Sequence, residues 1–154
     1  MSFLEQVKKA TPQAPVVTIV GFAGSGKSSL AGLFPNPIFI QAENATSVFE
    51  TVSDDLQPAF FPQLPLPNAK RNIKTSDVLL EQLRELVTQD HEFKTVVIDT
   101  VTALNILFEQ EVIEFDEKGA SNIGEAAGGY NKGYLVVAGI HAKLRAACEH
   151  LRKK

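Results

Sequence analysis

The chain has 154 residues, a length at which folding buries about 68–70% of the surface the unfolded chain exposes, so one domain over 1–154 is expected. Apolar residues make up 44% and charged residues 21%, which excludes a disordered tail, a collagen and a coiled coil. With 15 Lys and Arg against 18 Asp and Glu the formal net charge is −3, so any nucleic-acid contact must come from a local patch rather than from bulk charge.

Residues 2–10 put Phe3, Leu4 and Val7 at helical spacing, and Pro12 and Pro15 end that helix. The extended run Val16-Val17-Thr18-Ile19-Val20 reads as a buried strand, followed by a glycine loop over 21–26 and a helix over 27–33 that Pro35 and Pro37 terminate. Ile38 to Gln41 reads as a second strand. Strand, glycine loop, helix, strand is a βαβ unit and favours a parallel sheet flanked by helices, an α/β fold. The stretch 58–68, with four prolines among apolar residues, is expected to be an extended loop packed over the body. Val78, Leu79, Leu80, Leu83, Leu86 and Val87 mark an amphipathic helix over 76–89, with Thr75 or Ser76 as its N-cap. A third strand, 95–99, precedes a helix over 102–118 with Leu104, Leu107, Phe108 and Ile113 inward and an acidic outer face. A Gly/Ala-rich loop (119–129) leads to a last helix over 130–152; within it Tyr134 to Ile140 also permits a strand, but the apolar spacing favours the helix.

The single cysteine, Cys148, has no partner for an internal disulfide and reads as a small core residue. His91, His141 and His150 are scattered without zinc spacing. The N-terminus lacks a secretory pattern, and no apolar run approaches the ~18 residues that span a bilayer, so no membrane association and a cytoplasmic location are expected.

Gly21, Phe22, Ala23, Gly24, Ser25, Gly26, Lys27 and Ser28 satisfy G-x-x-x-x-G-K-[ST] between an apolar strand and a helix, the context in which that pattern cradles phosphates. Glycines let the loop wrap a phosphate tail and aim backbone N–H groups at it, with Ser29 continuing the cradle into the helix. Lys27 is expected to reach the β- and γ-phosphates of ATP, and the Ser28 hydroxyl to ligate Mg²⁺. Asp99, at the end of an apolar strand, occupies the Walker B position as a second magnesium ligand; its competing role is an N-cap, which Thr100 could fill instead.

Phe39-Ile40-Gln41-Ala42-Glu43-Asn44-Ala45 resembles the second-strand segment of RecA-type ATPases, and Val97 to Leu104 resembles their Walker B segment. Within that superfamily the chain is most similar to phage-encoded RecA-fold nucleotide-binding proteins associated with recombination and single-strand annealing, a likeness extended by Gly129-Tyr130-Asn131-Lys132-Gly133-Tyr134. The resemblance implies a RecA-like P-loop NTPase: a Mg-dependent ATPase acting in DNA recombination or repair, with Glu43 as the carboxylate that orients the attacking water. It also implies single-stranded DNA as a partner, contacted by the 119–129 loop, and a RecA-like oligomer. Gln41 stands where the family often has Asp.

The RecA-like fold has one further strand between the strand preceding the phosphate loop and the Walker B strand, ending in a polar residue that senses the γ-phosphate. The strands 16–20, 38–41 and 95–99 would leave that central slot vacant. The expectation is an N-terminal part of a longer RecA-like core, incomplete at its C-terminus, or a chain whose sheet edges pair with another copy. For DNA, Glu109, Glu111, Glu114, Asp116, Glu117 and Glu125 oppose a phosphate backbone, and Lys143, Arg145, Arg152, Lys153 and Lys154 form the only basic cluster without making a stripe. Two other functions share the cradle. A non-hydrolysing nucleotide-binding protein would bind without turnover; a small-molecule kinase normally brings more clamping arginines than the four here, Arg71, Arg84, Arg145 and Arg152.

Overall fold

The computed structural model describes residues 2–7, 11–44 and 46–153. Its centre is a three-stranded parallel sheet in the order β2-β1-β3, built from β1 (Pro37–Gln41), β2 (Ala59–Phe60) and β3 (Thr95–Asp99). β1 pairs with β3 along its full length, from Pro37 opposite Thr95 to Gln41 opposite Asp99. The two-residue period of the strands sends their side chains alternately to two layers. On one face Ile40, Val96 and Ile98 pack with Leu79 and Leu83 of α2 (Thr75–Thr88), Leu104 and Phe108 of α3 (Val101–Glu114), and Val137 and Leu144 of α4 (Lys132–Leu151). On the other, Phe39 and Val97 meet Ala31 of α1 (Lys27–Gly32) and Phe49. Phe39, Phe49 and Phe60 form a ring triad with centroids 5.2–5.7 Å apart.

The proline-rich stretch does more than cover the body, because its first residues are the edge strand β2. Beyond it Phe61 N–H donates to Phe39 O and Leu64 N–H to Gln41 O, both at 2.9 Å. Prolines at 58, 62 and 65 have no N–H to add to the ladder, which keeps the strand at two residues. Its free carbonyls are taken by side chains: Phe61 O by Gln41, Pro62 O by Gln82 and Pro65 O by Thr75.

α2 begins at Thr75, but neither Thr75 nor Ser76 caps it; Lys74 occupies the N-cap position without a side-chain bond. The cap comes from α3. The buried Glu111 carboxylate accepts from Ser76 N–H at 2.8 Å and from Ser76 Oγ at 2.6 Å, a negative group at the positive helix end. Thus one member of the expected acidic outer face points inward. α3 stops at Glu114, four residues early, and residues 134–140 are helical within α4. The N-terminal helix is reduced to a 3₁₀ turn, Phe3–Gln6, and residues 8–10 of that expectation lie outside the described residues.

The expected strand 16–20 is not a strand. Both edges of β1 are occupied, and residues 11–20 form neither helix nor strand and have no ladder partner among the described residues. Among the described residues, no backbone N–H between 11 and 21 donates a hydrogen bond. Val16, Val17 and Val20 are 65%, 57% and 88% exposed, and Ile19 alone packs on the Phe39–Phe49 cluster. β-branched content fits a residue to a pleated surface but supplies no neighbour to pair with. The segment is tethered at Ala14, whose carbonyl accepts from Arg152 Nε at 2.6 Å.

Candidate functional site

The phosphate-loop sequence folds into a turn that its residues dictate. Gly24 and Gly26 take φ of 74° and 82°, the left-handed region that a side chain disfavours, and a Cβ on Gly21 would lie 2.6 Å from Ser25 Oγ. Ser25 N–H closes the turn on Phe22 O at 3.2 Å. Residues 21–26 are exposed, Lys27 and Ser28 half-buried, and Ser29 exposed in the same turn. Among the described residues, the N–H groups of Gly24, Gly26, Lys27, Ser28 and Ser29 have no acceptor, as the first turn of a helix leaves them. Lys27 Nζ donates to Gly21 O at 3.0 Å and Phe22 O at 2.8 Å, so the ammonium lies within its own loop.

The loop meets the C-terminal ends of β1 and β3, the edge at which parallel sheets bind ligands. Ser28 Oγ donates to Asp99 Oδ2 at 2.6 Å. Asp99 is buried, and it is not the helix cap: Thr100 takes that role, its Oγ1 accepting from Ala103 N–H at 3.1 Å. The chain leaving β1 is fastened to the same point, with Ala42 N–H and Glu43 N–H both donating to Asp99 O, at 2.9 and 3.4 Å. Glu43 is exposed, and Thr100 Oγ1 donates to its Oε1 at 3.0 Å. Gln41 turns its amide to Phe61 O. Sequence reasoning brings Lys27, Ser28, Glu43 and Asp99 forward but treats Thr100 as a cap alone; its link to Glu43 spans 57 positions and has no local signal.

Among the described residues there is no cluster of three His, Cys, Asp or Glu side chains able to hold a metal. The Ser28–Asp99 pair nevertheless fits a hard, oxygen-seeking cation such as Mg²⁺, which uses few protein ligands and fills its octahedron with water and phosphate oxygens.

The basic residues considered for DNA contact lie on α4 or just after it and face different surroundings. Arg152 is engaged by Glu149 Oε2 at 2.8 Å and by Ala14 O, Arg145 and Lys153 are exposed, and Lys154 lies outside the described residues. Lys143 lines a cavity of about 570 Å³ with Lys74, Glu111, Phe115 and Asp116, a lining that includes none of residues 21–29. The 119–129 loop is organised around two carboxylates. Asp116 Oδ1 accepts from Ala127 N–H at 2.9 Å and Oδ2 from Lys118 and Ala120 N–H at 3.1 and 3.2 Å. The Ala127 N–H foremost, then those of Ala120 and Lys118, hold the Asp116 carboxyl below its ordinary range. The Ser121 hydroxyl, followed by the Ser121 N–H, does the same for Glu125. Ile123 and Ala126 are buried, and Gly119, Gly128 and Gly129 serve as left-handed turns.

Among the described residues no helix is long and apolar enough to cross a membrane. A family model described as an AAA domain matches residues 13–154, nearly the whole chain. No curated protein and no solved structure matches it. The glycine turn, the lysine and serine that follow it and the acidic strand end at Asp99 all fall inside the matched span. The chain belongs to the AAA domain family of P-loop nucleotide-binding ATPases.

Proposed function

We propose that this chain is a Mg²⁺-dependent ATPase of the RecA type that works in phage or bacterial DNA recombination or repair. The observation that carries the reading is the 2.6 Å contact between Ser28 Oγ and Asp99 Oδ2, which joins loop and strand end, with Glu43 fastened beside it. In hydrolysis a water oxygen forms a bond to the γ-phosphorus as the bridging P–O bond breaks, giving ADP and phosphate, with the water's proton ending on phosphate or bulk solvent. The residues 21–29 bind the phosphate tail through unpaired N–H groups. Lys27 exchanges two loop carbonyls for phosphate oxygens, and Ser28 and Asp99 would hold the cation, which neutralises charge building on the phosphates. Glu43 orients the water. The RecA subtype is supported by the placement of Glu43: the residue two past β1 reaches the end of β3 because Gln41 and Asp99 are in register.

A non-hydrolysing nucleotide-binding role is the second reading, favoured by the commitment of Lys27 to its own loop. Titration calorimetry with Mg-ATP, paired with phosphate release in the presence and absence of single-stranded DNA, separates the two. The ATPase reading expects Lys27→Ala to lose at least tenfold in affinity, and Glu43→Gln to retain binding while release slows about 10²-fold or more. Binding with no release by the unaltered chain selects the second reading. Self-association through the open edge of β3 belongs to the same proposal.

A further inference from the structure

We infer that Thr100 is a positioning residue for the Glu43 carboxylate, coupling it to the N-terminus of α3; the inference rests on the ATPase reading of Glu43 given above. The geometry fixes the direction of the coupling. A backbone N–H can only donate, so Ala103 gives its proton to Thr100 Oγ1. A carboxylate in its ionised form can only accept, so the one hydroxyl proton of Thr100 goes to Glu43 Oε1. The sequence Ala103 N–H to Thr100 O–H to Glu43 is therefore a one-way chain that starts at the positive end of a 14-residue helix. Each donor in such a chain polarises the next.

Capping alone requires only the first of these two bonds. The second reaches across the site to an exposed glutamate that has no other side-chain hydrogen bond among the described residues. Without it, the backbone bond from Glu43 N–H to Asp99 O would locate the residue but leave its carboxylate free to rotate. With Oε1 engaged, Oε2 makes no hydrogen bond among the described residues and can accept one from a water. Thr100 also follows Asp99 directly, so the turn that presents the magnesium-side carboxylate presents the hydroxyl that holds the water-side one. Threonine suits this task better than serine because its β-branch restricts χ1.

The test uses the full chain with Thr100→Val, Thr100→Ser, Thr100→Gly and Glu43→Gln, alone and with Thr100→Val added to Glu43→Gln. ATP turnover, Mg-ATP affinity and thermal midpoint are measured for each. The expected result is a fall in kcat of about tenfold for Thr100→Val with KM and affinity within about twofold, and recovery to within about threefold in Thr100→Ser. Thr100→Gly keeps a workable cap without a donor, so it should match the slow turnover at a near-normal midpoint. Adding Thr100→Val to Glu43→Gln should slow turnover no further. Turnover at the original rate in Thr100→Gly, or an equal fall from Thr100→Val in both backgrounds, overturns the inference and leaves Thr100 a cap. A Glu43→Gln variant as fast as the original overturns the reading of Glu43 itself, and a chain that binds Mg-ATP and never releases phosphate overturns both.

Discussion

Cys148 sits half-buried on α4 against the core that includes Leu83 and Leu104, as its reading as a small core residue requires. Burial first, and the charge of neighbouring Glu149 second, raise its thiol above the ordinary value of 9.0. The folded thiol then holds its proton more tightly than the unfolded one. Its contribution to stability is complete below pH 9.0 and is lost as pH rises through the higher folded value. Urea midpoints measured across this range should fall more steeply for the natural chain than for Cys148→Ala; parallel curves would show that the thiol is not the titrating group. At this scale the site was partly legible. Residues 21–29 are neighbours in the chain, so their joint chemistry can be read directly. Ser28 and Asp99 stand 71 positions apart, and which of Asp99 and Thr100 caps α3 is decided only in the fold, where Thr100 takes the cap and Asp99 accepts from Ser28. The use of Gln41 as a clamp on Phe61 O depends on β2, which the prolines around it conceal.

In the 119–129 loop Gly119, Gly128 and Gly129 supply positive-φ turns for a segment folded onto the Asp116 carboxylate. Gly133 has a related purpose, since a Cβ there would run into the backbone carbonyl of Ile123 and lift the loop from α4. Asp116 uses both oxygens as acceptors, which Asn cannot do. Asp116→Asn should therefore free either the Ala127 amide or the Lys118 and Ala120 amides, read as exchange at least about tenfold faster at one of those places with the interior of α3 unchanged. Acid should act likewise on the natural chain. The carboxyl is held below its ordinary 3.8, so its support for the loop is present above that pH and disappears as pH falls through the lower folded value. Uniform loss of protection across α3 and α4 would instead mark global unfolding. The three long helices α2, α3 and α4 were readable from their apolar spacing to within a few residues, because 3.6-residue periodicity is a local property, whereas the spacing over 2–10 yields only a 3₁₀ turn. The cap of α2 was not, because Glu111 lies 35 positions away on another helix.

For the molecule as a whole, the decisive feature is that, among the described residues, β1 is paired on both sides while β3 has an open edge and residues 16–20 have no ladder partner. Apolar content marked 16–20 as strand material; whether it becomes a strand depends on a neighbour that local sequence cannot supply. Unpaired backbone with exposed valines favours main-chain pairing between copies. Sedimentation should show association that rises with concentration, and amide exchange at 16–20 should slow in parallel while 37–41 stays protected throughout. Val17→Pro distinguishes backbone pairing from simple apolar contact, because proline has no N–H to give. It should weaken association and leave the unfolding midpoint of the dilute chain unchanged, since Val17 N–H bonds nothing among the described residues. If instead association persists in Val17→Pro and fails only in Val17→Ser, side-chain contact is the cause. The consequence reaches the nucleotide, because the phosphate loop begins at Gly21, directly after the unpaired segment. Ordering 16–20 would fix one end of the cradle, and linkage then requires the reverse effect of equal size. Mg-ATP should strengthen association by the same factor by which association strengthens Mg-ATP binding, and Val17→Pro should hold nucleotide affinity at its dilute-solution value at every protein concentration.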